Sequence, residues 1–233
     1  MKKTLQLTIV FMGILLITGC SLPLLEKGYS KELASIFPDK EGATATYFGL
    51  AEYGHKVTLT SIDKTLSKAT FNVDGYIDDA RGEDVSKRKF EVVYTVDKNS
   101  ITEVVVNNDE FRTTGKNDRL NSIIPAKIIL KLPLKVGTTW EQEFTYKNKQ
   151  YTSVTEISKV TTVNKSSKQY VTITTVKNIE GFFNKEYYEE RTYETGRGLV
   201  TFSNTMEKFT IDIDRELTKE DFMFGYTQGT FIK

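Results

Sequence analysis

Two side chains that enzymes often draw on for chemistry, cysteine and histidine, occur once each. One cysteine, Cys20, excludes an intramolecular disulfide and a thiolate metal cluster. One histidine, His55, excludes a multi-histidine metal site. No nucleophile elbow of the form G-x-S-x-G occurs, and no cofactor is expected. Charge of one sign is also lacking. The 233 residues hold 32 Lys and Arg against 31 Asp and Glu, and residues 1–19 carry only Lys2 and Lys3. The rest therefore has 30 basic against 31 acidic groups, with no overall basic field to hold nucleic acid or anionic lipid by charge alone.

One long apolar run is present. Lys2 and Lys3 precede Leu5–Ile17, a stretch broken only by Gln6, Thr8 and Gly13, which has the form of a secretory signal rather than a stable membrane span. It ends in Ile17-Thr18-Gly19-Cys20, which resembles the lipobox of bacterial lipoprotein precursors. The resemblance implies cleavage after Gly19 and a diacylglyceryl anchor on the Cys20 sulfur, which places the rest on the extracytoplasmic face of the cell membrane. Two acyl chains hold stably where one is marginal, at ~0.8 kcal/mol per buried methylene.

The chain as a whole is rich in strand formers: 31 Thr and 17 Val accompany 12 Tyr and 14 Phe. Period-two alternation recurs at Val57–Ile62, Phe71–Gly75, Val171–Thr175 and Phe209–Asp214. Turn signals at 97–100, 147–149, 164–168 and 195–198 separate the runs. The fold class expected is all-β and mainly antiparallel: a curved sheet, half-barrel or sandwich with very little helix. Lys31–Ile36 and Asp118–Ile123 are the two short helical candidates.

An internal repeat organises the expectation. Segment 37–64 lies on 132–159 without a gap, with identities at Pro38/Pro133, Lys40/Lys135, Gly42/Gly137, Thr44/Thr139, Thr60/Thr155, Ile62/Ile157 and Lys64/Lys159. Farther on, Phe90–Asn107 matches Tyr187–Asn204. The pattern predicts two tandem β units, 37–107 and 132–204, joined by 108–131 and closed by a last strand at Lys208–Leu217. The chain then divides into a signal peptide 1–19, a lipidated Cys20 and tether 20–36, a β domain 37–217, and a terminal segment 218–233. The second copy, LPLKVGTTW, is similar to a strand-starting motif in exported β-rich bacterial proteins. In it Pro133 ends a strand, Gly137 turns the chain and Trp140 anchors the next strand in the core, with Tyr47 as its counterpart.

Three groups of side chains could carry function. Glu52 and His55 form an acid–imidazole pair capable of acid–base work if both faced a cleft; the alternative is a hairpin turn with His55 exposed. Asp78, Asp79, Glu83 and Asp84 surround Gly82, but their spacing departs from a calcium loop and Lys87–Lys89 neutralise them. Glu189, Glu190, Asp212 and Asp214 are expected as strand-face charges guarding an edge. Phe182, Phe183, Tyr187 and Tyr188 form the densest aromatic cluster and the candidate ligand surface, with Phe183 and Tyr187 pointing inward. Phe222, Phe224, Tyr226 and Phe231 are expected to pin the last segment to the domain.

The function expected is that of a membrane-anchored, non-catalytic binding module, taking an apolar ligand, an envelope polymer or an exported protein. A structural role in an envelope complex is the second reading, and a hydrolase using Glu52 and His55 the third.

Overall fold

The computed structural model describes residues 28–49, 53–78, 89–106, 121–208 and 215–233. The signal peptide, Cys20, Glu52, the run from Asp79 to Asp84, and Asp212 and Asp214 lie outside the described residues.

After one short helix, α1 (Lys31–Ala34), the described chain is strand upon strand. The first six are β1 (Thr44–Gly49), β2 (Gly54–Lys64), β3 (Ala69–Asp78), β4 (Lys89–Val96), β5 (Ser100–Val106) and β6 (Lys127–Lys131). The second six are β7 (Thr139–Tyr146), β8 (Lys149–Thr162), β9 (Lys168–Lys177), β10 (Glu186–Glu194), β11 (Gly198–Thr205) and β12 (Met223–Ile232). They form one 12-stranded sheet in the order β6-β5-β4-β3-β2-β1-β12-β11-β10-β9-β8-β7. Each set of six is a meander, and the two join through the antiparallel pair β1–β12. The fold is thus the expected all-β curved sheet, wound almost into a barrel.

Alternation explains the curl. On β4, Phe90, Val92, Tyr94 and Val96 are buried while Lys89 and Glu91 are exposed. On β7, Trp140, Phe144 and Tyr146 are buried and Glu141 and Glu143 exposed. A sheet with one apolar face must cover it, and this one closes on itself. Gly75 on β3 serves that closure, since a Cβ there would come within 2.0 Å of the Phe90 ring.

The closing seam is made by side chains. Gln142 on β7 accepts from the Ile128 amide through Oε1 at 2.9 Å and donates through Nε2 to the Ala126 carbonyl at 2.9 Å. Trp140 adds an indole N–H to the Ile128 carbonyl at 3.1 Å. One primary amide thus does for β6 what a neighbouring strand would do, satisfying an edge donor and acceptor together.

The two meanders repeat in detail. Gly42 and Gly137 both turn at positive φ, +85° and +84°, where only glycine sits without strain. The Gly42 amide donates to the Leu59 carbonyl at 2.8 Å, and the Gly137 amide to the Ile157 carbonyl at 3.0 Å. Bulges follow at Leu59/Ser61 on β2 and Ile157/Lys159 on β8. Leu59 therefore corresponds to Ile157, which corrects the gapless superposition. Gly42/Gly137 stands, but Ile62 does not match Ile157, because the β7–β8 hairpin is longer by three residues.

Other boundaries also shift. The connection 108–131 contains β6, which belongs to the first meander. Lys208 and Arg215–Leu217 are not strand, the rest of that expected strand (209–214) lies outside the described residues, and the last described strand is β12, paired on both sides inside the sheet rather than a terminal appendage. Asn121–Ile123 is not helical, and the rest of that helical candidate is outside the described residues.

The segment read as a tether is partly a plug. Ser30 caps α1 by accepting from the Leu33 amide at 3.1 Å. Leu33, Ile36 and Phe37 are all buried in one end of the barrel. Each such side chain stabilises by ~1.5–3 kcal/mol relative to exposure. The Gly196 and Gly198 amides fasten the segment by donating to the Ser35 and Ile36 carbonyls, both at 2.8 Å.

Candidate binding cavity

The inward faces of the two meanders are not filled alike. On the first, small side chains recur: Ala45 on β1, Val57 on β2, Val73 on β3, Val92 on β4 and Val105 on β5. They leave a cavity of about 80 Å³, walled on the far side by Leu199 on β11 and by Tyr226 and Phe231 on β12. Val57, Val73 and Val105 are only half-buried although they point inward, because they face this space. It opens between the meanders and is predominantly apolar. A space of this size is well below the ~300–1,000 Å³ of pockets that swallow a whole ligand, and suits the apolar end of a longer molecule.

Polar groups gather at two places on its wall. Tyr47 donates to the Leu199 carbonyl at 2.7 Å, and burial pushes its hydroxyl up to about 12. Beside it Arg197 donates through Nη2 to the Gln228 side-chain oxygen, lies 3.5 Å from Glu194 and covers the Phe231 ring at 5.6 Å. Its Nε is buried and has no hydrogen-bond partner.

His55 also faces the cavity, but not as an exposed turn residue. It is buried, stacked on Tyr47 at 4.4 Å and met edge-on by Tyr226 at 4.7 Å. Its Nδ1 shares a 2.7 Å hydrogen bond with the Tyr53 hydroxyl. Burial holds the imidazole down at a pKa of about 3, so it is neutral at physiological pH.

A buried set of charges begins on the cavity wall, at Arg191 and Glu103, and runs on behind it. Arg191 on β10 donates through Nε to Glu189 at 2.7 Å and through Nη1 to Glu103 on β5 at 2.8 Å. Lys127 on β6 lies 3.2 Å from Glu189 and donates to Thr174 at 2.7 Å. Tyr187 donates to the other Glu189 oxygen at 2.5 Å. Burial pushes the Glu189 carboxyl up, but Arg191 and Lys127 outweigh it and bring it down to about 2. Burial lowers the Lys127 ammonium to about 8 against the pull of Glu189. Two bases and two acids cancel, so the cluster adds no net charge to the interior. Its hydrogen bonds span both meanders and set their relative register.

This overturns the reading of Glu189 as an edge charge. β10 is paired on both sides, and Glu189 shares its inner face with Tyr187, Arg191 and Tyr193. Glu190, on the outer face, accepts from the Tyr188 hydroxyl at 2.8 Å. The charged quartet was missed in the sequence, although it left a signal: opposite charges two apart on a strand face, flanked by tyrosines.

The four aromatics expected around a ligand are divided between places. Phe182 and Tyr187 are buried in a second core with Ile123, Phe144, Tyr146 and Ile179. Phe183 stacks on Phe222 at 5.5 Å, and Tyr188 lies under the Lys219 ammonium at 3.6 Å. None of them lines the cavity. Phe182 rather than Phe183 turns inward because a 3-10 turn, Phe183–Lys185, interrupts the alternation before β10. Trp140 and Tyr47 are both buried as expected, as are Phe222, Phe224 and Tyr226. Among the described residues no three His, Cys, Asp or Glu side chains are grouped to hold a metal ion.

No protein-family model and no curated protein matches the chain. Two solved structures resemble it in shape. A protein described as exported, with a YmcC-like fold, from Bacteroides fragilis aligns over 89% of this chain and 100% of its own, with a TM-score of 0.48 and 11% identity. A protein described as a lipoprotein from Parabacteroides distasonis aligns over 84% of this chain and 98% of its own, with a TM-score of 0.41 and 10% identity.

Proposed function

We propose that the protein is an extracytoplasmic lipoprotein, anchored through Cys20, whose barrel takes the apolar end of an amphipathic molecule between its two meanders. The apolar cavity of about 80 Å³ carries this reading. Its small inward side chains, Ala45, Val57, Val73, Val92 and Val105, leave unfilled a space that larger residues fill in the second meander, where Trp140, Tyr170 and Tyr193 are core. Arg197 on the wall supplies a guanidinium charge for the polar end of such a molecule. A binding rather than catalytic role accords with a neutral His55 whose Nδ1 is engaged by Tyr53.

The test is binding of an anilinonaphthalene sulfonate probe to the purified protein and its displacement by long-chain fatty acid. Probe fluorescence should rise on binding and fall with added acid. Ala45→Phe, which fills the cavity, should abolish both responses, and Arg197→Met should weaken the acid more than the matching alcohol. Equal binding by the Ala45→Phe variant would exclude the cavity as the site.

A further inference from the structure

The balanced charge of the whole chain hides an asymmetry between the two ends of the barrel. Gly28 lies flat against the β2–β3 turn, where a Cβ would fall 1.6 Å from the Leu66 carbonyl oxygen. The Ser30 amide donates to the Asp97 carbonyl in the β4–β5 turn at 2.9 Å. The chain therefore reaches the barrel at the end formed by the connections 65–68, 97–99, 132–138 and 163–167. Each of these carries an exposed lysine: Lys68, Lys98, Lys135 and Lys165. Three carry an exposed apolar side chain as well: Leu66 (81%), Val136 (57%) and Val163 (47%). The one acid among them, Asp97, is itself exposed and accepts from the Asn99 and Ser100 amides, both at 2.7 Å, while Asp39 and Glu41 before β1 lie at this end beside Lys40, with Arg197 in the β10–β11 turn, so that basic groups still outnumber acids there.

The described connections of the opposite end differ. There Lys147 pairs with Glu207 and Arg215 with Asp221, and no exposed large apolar residue falls in its described connections. We infer that the lysine-bearing rim around Leu66, Val136 and Val163 rests on the surface of a bilayer containing anionic phospholipid, with the apolar tips at headgroup depth. This rests on the proposed Cys20 anchor. Seven residues separate Cys20 from Gly28, so their Cα atoms lie no more than about 29 Å apart even at full extension. A short link of this kind brings the near end of the barrel to the membrane. Lysines attract anionic headgroups within a Debye length, and singly exposed apolar tips enter the headgroup layer. The barrel would then stand upright, with its opposite end toward the medium.

The experiment uses the full lipidated chain reconstituted into vesicles of phosphatidylcholine with phosphatidylglycerol. Leu66→Cys and, at the opposite end, Glu180→Cys are each labelled with an environment-sensitive fluorophore, Cys20 being blocked by its thioether. Both variants should float with the vesicles. The Leu66→Cys label should be blue-shifted and several-fold less quenched by aqueous iodide than the Glu180→Cys label. The difference should shrink when Lys68, Lys135 and Lys165 are changed together to Glu, or when phosphatidylglycerol is left out. A chain that floats with both labels equally quenched overturns the docking and leaves the anchor standing. A chain that does not float overturns both.

Discussion

Arg191 on β10 and Glu103 on β5, 88 residues apart in the chain, meet inside the barrel with Nη1 2.8 Å from Oε1. The contact crosses from the second meander to the first and stands beside the neutral Glu189–Lys127 pair. Breaking a buried pair on one side strands a charge, which costs about 3–5 kcal/mol, whereas replacing both partners by apolar groups is often near neutral. Arg191→Met should therefore destabilise by about 3–5 kcal/mol in urea unfolding. Arg191→Met combined with Glu103→Leu should destabilise less, because Glu189 keeps Lys127. Additive losses would contradict the coupling.

Two buried groups make the fold acid-sensitive in offset, partly overlapping windows. His55 titrates near 3 in the folded protein against 6.5 unfolded, so the stability present above pH 6.5 is lost as pH falls from 6.5 toward 3. Glu189 titrates near 2 against 4.5, so its contribution is lost from 4.5 toward 2. The Tm should fall from about pH 6.5 downward in the native protein. In His55→Gln it should hold level until the carboxylates begin to titrate near 4.5. Parallel profiles for the two proteins would contradict the assignment of His55 as buried and neutral.

At the seam, Gln142→Leu leaves the Ile128 amide and Ala126 carbonyl without the partner that Gln142 supplies. The expected cost is about 1–3 kcal/mol, with faster hydrogen exchange at Ile128. Gln142→Glu should fall between, since a carboxylate accepts from Ile128 but cannot donate to Ala126. Unchanged exchange in Gln142→Leu would mean that the seam is held by other contacts.

Strand content and turn chemistry were legible residue by residue. Lys147-Asn148 makes the β7–β8 turn with φ of 47° and 62°, and 195–197 links β10 to β11. The LPLKVGTTW motif also placed Trp140 in the core. What was not legible depended on contacts distant in sequence. Whether β10 is an edge or an inner strand decides whether Glu189 is a solvated charge or a buried one, and only the closed sheet answers that. The cavity was hidden for a related reason. Valine at an inward position reads as core in one strand, and the void appears only when five strands present small residues to one another. The gapless repeat misled beyond Gly42 because a three-residue change in hairpin length leaves the period-two pattern intact while moving the partners.

The central claim is that the space between the meanders holds a ligand, and mass spectrometry of the protein extracted from its native membrane tests it most directly. The account predicts a chain lacking residues 1–19, carrying diacylglycerol on Cys20 and co-eluting with a small amphipathic molecule. That molecule should be absent from Ala45→Phe prepared in the same way and folded to the same Tm. An identical co-eluting species in both preparations, or none in the native protein, would contradict it.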